Sequence, residues 1–141
     1  MTKHSVVLLV LATLSLLLGG CEIIIDDGDW PDESQVENPH DSTVISEIEA
    51  AGTLAFESDK HAAYMRIAER PGLSDTAVVH LVEAVFEKLS FESSQLDILL
   101  NIIGGPNFSP AAKEEILAGL SKLEFESSKS KILNAISDRS V

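Results

Sequence analysis

Basic residues, aromatics and cysteine are all scarce in this chain, and each shortage closes off a class of function. Ten Lys and Arg stand against 23 Asp and Glu in 141 residues, a formal charge of −13. Nucleic acid is excluded as a partner, because a phosphate backbone needs clustered Lys and Arg. Aromatics make up 5% of the chain, so the core must be aliphatic and modest. Cys21 is the only cysteine, and no intramolecular disulfide can form. No apolar run reaches the roughly 20 residues that a membrane-spanning helix requires. The longest, Val6–Leu18, has 13 residues behind Lys3 and fits the hydrophobic stretch of a signal peptide.

Four letters recur. Phe-Glu-Ser-Asp at 56–59 returns as Phe-Glu-Ser-Ser at 91–94 and 125–128, 35 and then 34 residues apart. Registering the copies on Phe56, Phe91 and Phe125 also aligns Pro71 with Pro106, Ser74 with Ser109 and Leu89 with Leu123, and the third copy stops halfway. That period is one helix–turn–helix unit of a solenoid. Ser74 and Ser109 stand where they would cap a second helix (B) in each unit, the latter with Pro110 at the first helical position. The Ser pair after Phe-Glu is expected to cap the first helix (A), with Ser94 and Asp97 resembling a capping box. Gly104-Gly105-Pro106 is expected to close helix A of the second copy through a left-handed glycine. Apolar residues fall at helical spacing: Val78, Leu81, Val82, Val85 and Leu89, then Ile116, Leu117, Leu120 and Leu123. Leu96, Ile98, Leu99, Leu100, Ile102 and Ile103 make helix A of copy two apolar almost all round, as a helix flanked on several sides should be.

The fold class predicted is therefore all-α, a short α-solenoid-like array of antiparallel helix pairs. Six helices are expected near 42–54, 59–69, 75–89, 94–103, 110–122 and 128–138, the first a shortened leading cap. Phe56, Phe91 and Phe125 are expected to plug the turns between B and A helices. The array resembles tandem short helical repeats of bacterial exported proteins, in which a Ser-Ser or Ser-Asp pair opens a helix that ends near Pro-x-[Leu/Phe]-Ser. The resemblance covers residues 42–141 and implies a scaffold with no catalytic residues to carry over.

The N-terminus supplies an address. Leu18-Gly19-Gly20-Cys21 resembles the lipobox of bacterial lipoproteins, with Gly at both small positions where Ala-Gly is more typical. The resemblance implies thioether lipidation of Cys21, cleavage between Gly20 and Cys21, and acylation of the new amino group, giving palmitate-type membrane anchoring. Two or more acyl chains make a stable anchor where one is marginal. Glu22 follows the Cys where an Asp would favour inner-membrane retention, so a Gram-negative host would place the protein at the outer membrane. The expected organisation is a signal peptide over 1–20, a lipidated Cys and acidic tether over 21–40, and a helical-repeat domain over 41–141. Residues 22–40 carry seven acids and no Lys or Arg, a solvated linker reaching at most about 65 Å.

Little in the sequence points to catalysis. Asp26 to Glu33 lacks EF-hand spacing. His61 and His80 are solitary, with no partner on the same helix face to build a metal site. There is no Gly-x-Ser-x-Gly elbow and no phosphate loop. No enzyme activity, metal or cofactor is expected. Charge is sorted instead: acids gather on the B segments, while the A segments hold Lys60, Arg66, Arg70, Lys129, Lys131 and Arg139. Lys60, Arg66, Arg70, Lys129 and Lys131 form the candidate partner-binding face. The expected function is a lipid-anchored, non-enzymatic protein- or peptide-binding scaffold of the cell envelope. The alternative is a small-ligand-binding or envelope-stress accessory factor with a pocket around Tyr64, Met65 and Phe86.

Overall fold

The computed structural model describes residues 39–139, which form six α-helices and one short 3-10 turn. These are α1 (Pro39–Gly52), α2 (Glu57–Ala68), α3 (Asp75–Lys88), α4 (Glu92–Gly104), α5 (Pro110–Gly119, continued by the 3-10 turn Leu120–Lys122) and α6 (Glu126–Arg139). Each helix packs most extensively on the helix two along, α1 on α3, α3 on α5, α2 on α4 and α4 on α6, while the sequence neighbours α1 and α2, α2 and α3, and α3 and α4 pack less extensively. The result is the predicted array, two layers deep. α1, α3 and α5 form one layer, and α2, α4 and α6 the other. The turns carrying Phe56, Phe91 and Phe125 all lie on one edge, and the turns carrying Pro71 and Pro106 on the opposite edge.

The expected boundaries hold to within a few residues, with instructive exceptions. α1 begins at Pro39, inside the expected tether, and its 14 residues match the longest of the other helices, so the leading helix is full length. Ser74 and Ser109 cap α3 and α5 as expected, each hydroxyl accepting from the N–H three residues on, at 3.2 and 3.3 Å. The A helices start earlier than expected. α2 and α4 open at Glu57 and Glu92, with Phe56 and Phe91 as extended N-cap residues that offer no side-chain acceptor. The Ser pair lies inside the first turn. Asp97 is drawn away from Ser94 to His61 on the neighbouring helix, 2.9 Å off. Nor does Gly105 close α4 in a left-handed turn: its φ is −82°. The positive φ belongs to Gly72, at 77°, in the first Pro-bearing turn.

The core is a continuous aliphatic seam between the layers, built from Ile48, Ile67, Val78, Leu81, Val82, Val85, Ile98, Leu99, Ile103, Ile116 and Ile132. α4, flanked by α2, α3 and α6, buries Ile98, Leu99, Ile102 and Ile103, which is why its sequence is apolar on nearly every side. Close approach of α3 and α5 depends on Gly119, where a β-carbon would lie 2.1 Å from the Phe86 ring. Leu117, expected in the core, is exposed on α5.

Candidate interaction surface

Phe56, Phe91 and Phe125 are not turn plugs. They are 69%, 62% and 60% exposed, whereas Leu89 and Leu123, two residues before Phe91 and Phe125, are buried. The leucine therefore fills each of these two turns, and the phenyl is left outside. Three large apolar side chains recur once per repeat along one edge of a domain with few aromatics. Exposed apolar side chains that join into one patch mark contact surfaces, and Phe91 and Phe125 line one cleft.

The turns of Phe91 and Phe125 are each fixed by the glutamate after the preceding phenylalanine. Glu57 Oε1 accepts from the N–H groups of Ser90 and Phe91, at 2.8 and 3.0 Å. Glu92 repeats the arrangement one unit later, its carboxylate accepting from Glu124 N–H at 2.6 Å and Phe125 N–H at 3.1 Å. Each glutamate thus caps the turn of the following repeat, satisfying two amides that have no helical partner. The carbonyls of the middle turn are also met, Lys88 O by Lys60 Nζ at 3.1 Å and Leu89 O by Gln95 Nε2 at 2.8 Å. Burial beside the turn raises the Glu92 carboxyl. The Ser128 hydroxyl, the two amides and the charge of Lys129 outweigh it and hold the carboxyl below its ordinary value.

Between Phe91 and Phe125 lies an open cleft of about 500 Å3, lined by those two rings with Leu96, Gln95, Lys122 and Glu124 among others. It is amphipathic: two phenyls and a leucine supply apolar area, and one cation, Lys122, and two carboxylates, Glu92 and Glu124, also line it. Of Tyr64, Met65 and Phe86, placed by the sequence at a ligand pocket, Tyr64 and Phe86 are buried in the core, Met65 is partly buried against it, and none lines this cleft.

The five candidate basic residues do not form one patch. Lys60 caps the end of α3, and Lys129 pairs with Glu126 at 2.7 Å, both at the phenyl edge. Arg70 pairs with Glu47 of α1 at 2.8 Å on the opposite edge, where Arg66 adds its charge. The hydrogen bond from Arg70 holds the Glu47 carboxyl below its ordinary value against the opposing effect of burial, with help from both arginine charges. Lys131 is exposed on α6. That opposite edge has its own cross-links: Asn107 Oδ1 accepts from Gly72 and Leu73 N–H, while its amide donates to Arg70 O at 2.6 Å. Arg139 donates to Ile103 O and lies over the Phe108 ring.

His61 and His80 each bridge to the neighbouring helix of their own layer, His61 to Asp97 at 2.9 Å and His80 to Glu49 at 2.8 Å. Among the described residues no group of three or more His, Cys, Asp or Glu side chains is arranged to hold a metal ion. No helix among them is long and apolar enough to cross a membrane. Gly20, Cys21 and the acidic tether up to residue 38 lie outside the described residues. The exposed phenyls were missed in the sequence because burial was inferred from residue type; the signal available was the Leu two residues before each Phe, already sufficient to fill the turn. Comparison of the chain with protein-family models, with curated proteins and with solved structures gave no match.

Proposed function

We propose that this chain is a lipid-anchored protein of the bacterial envelope that acts as a non-enzymatic, protein- or peptide-binding scaffold, contacting its partner through the phenyl edge. The observation that carries the reading is the row of three exposed phenyls, one per repeat, two of them on glutamate-capped turns. A buried phenyl supplies on the order of 150–250 Å2 of contact, and rigid aromatic anchors of this kind dominate binding energy at interfaces. The cleft between Phe91 and Phe125, also lined by Lys122, Glu92 and Glu124, suits a peptide segment carrying an apolar side chain between polar ones. The lipobox pattern ending at Cys21 supports the address.

The test is photo-crosslinking in cells from a probe at Ser93, on the cleft wall, compared with one at Glu83 on the far layer. The expected result is a discrete protein adduct from position 93 alone, lost on Phe91→Ser with Phe125→Ser while thermal unfolding is unchanged. An equal adduct pattern from both probes would remove the phenyl edge as the contact surface. Cys21→Ser is expected to move the protein out of the membrane fraction; retention there would remove the lipid anchor.

A further inference from the structure

We propose that the two ends of the helical array dock on each other in successive copies of this chain, head to tail, with Glu126 of one copy accepting the Ala55 and Phe56 N–H groups of the next. The inference does not depend on what the phenyl edge binds. It rests on the joint between repeats, which occurs twice complete inside the molecule and once as two separated halves.

Each complete joint has three parts. The glutamate after Phe caps the next turn, as Glu57 does for Ser90 and Phe91, and Glu92 for Glu124 and Phe125. The leucine of the capped turn is buried: Leu89 is 4% exposed and Leu123 3%. On the donor repeat, the residue two turns into helix A is buried: Tyr64 and Leu99 are both 0% exposed.

At the ends of the described array the same parts stand open. Glu126 occupies the register of Glu57 and Glu92, yet its hydrogen bond goes to Lys129 within its own helix. Ala55 and Phe56 occupy the register of the two capped residues, and their N–H groups meet no acceptor among the described residues. Leu54, the counterpart of Leu89 and Leu123, is 40% exposed, with no A helix before it among the described residues. Leu133, the counterpart of Tyr64 and Leu99, is 47% exposed, with no helix after α6 among the described residues. A carboxylate without its amides, two amides without their carboxylate, and one apolar side chain at each end are the two faces of one interface.

In repeat arrays each unit contacts only its neighbours, so a joint that works twice within the chain can work again between chains. Such a contact is heterologous: it leaves a free face at each end and extends by translation into short linear assemblies. One substitution weakens it. Asp59 takes the register of Ser94 and Ser128, so where Ser128 stands beside Glu92 the docked joint sets a second carboxylate beside Glu126. The contact between copies is therefore weaker than the internal joints and opens in dilute protein.

The test uses the full chain expressed in cells with two different affinity tags, with a photo-crosslinking residue in place of the exposed Leu133. The expected product is an adduct between differently tagged copies, in whole-cell extract, that maps to the peptide around residues 54–62. Glu126→Ala should cut its yield about tenfold, the loss expected for hydrogen bonds to a charged acceptor, with an unchanged thermal unfolding curve. Asp59→Ser, which restores the hydroxyl of the internal joint, should raise it. Overturning results are the absence of any adduct between copies from folded protein, an adduct to residues 1–38 of the same chain or to another protein, or a yield indifferent to either substitution. Because the extract is not fractionated, an error in the membrane address would leave this readout untouched.

Discussion

Tyr64 is the residue most at odds with its surroundings. Its ring is wholly buried, its hydroxyl has no hydrogen-bond partner among the described residues, and a β-carbon on Gly52 would sit 2.9 Å from the phenolic oxygen. Desolvation, with the nearby Glu49 charge adding to it, pushes the phenol up to about 12. An unpaired buried hydroxyl costs stability while the ring contributes packing. Tyr64→Phe should therefore be neutral or stabilise the fold by up to about 1 kcal/mol, measured by urea denaturation; a clear loss would show that the hydroxyl has a partner. Glu92 makes the opposite case, a polar group with two backbone donors. Its folded carboxyl titrates below its ordinary value, so on acidification the unfolded chain takes up the proton first. Stability from this group is complete above the ordinary Glu range and drains away as pH falls through the folded value. Glu92→Gln should flatten the acid limb of the melting-temperature profile and lower its neutral plateau; an acid limb of unchanged slope would remove Glu92 from the account.

At the scale of the helices, the period of the sequence was sufficient to place all six, because helical spacing and the Ser74 and Ser109 caps are local signals. The A-helix starts were less legible. Ser94 looks like a cap in isolation, but the glutamate two residues earlier lies at the helix start, and its partners, Glu124 and Phe125, are more than 30 residues away. No local rule reads a bond of that range. The site was hidden for the same reason: whether Phe91 or Leu89 fills the turn depends on the neighbouring unit, and residue type favours both. Gly119 shows how tightly the helices are fitted. Adding one methyl group in Gly119→Ala drives it into the Phe86 ring between α3 and α5, and should cost about 1–3 kcal/mol. Shortening the obstacle with Phe86→Leu in the same chain should recover part of that loss in thermal unfolding. No recovery would place the strain in the backbone.

For the molecule as a whole, the joints make the repeat a unit that can be removed cleanly. Deleting residues 91–124 joins Ser90 to Phe125 and leaves Glu57 facing the same pair of N–H groups. The shortened chain should stay helical and unfold cooperatively at a lower temperature by circular dichroism. Deleting only 91–107 removes α4 and places two helices of the same layer in succession, and the cooperative transition should be lost; equal behaviour of the two deletions would mean that the joints do not set the unit. The cross-links also run along both edges, Glu57 and Glu92 on one, Asn107 and Arg139 on the other. A body stitched along a single edge would hinge open like a book when pulled. With stitches on both, a load applied along the stack strains the two rows together, so the array yields as a stiff rod rather than by peeling from one side.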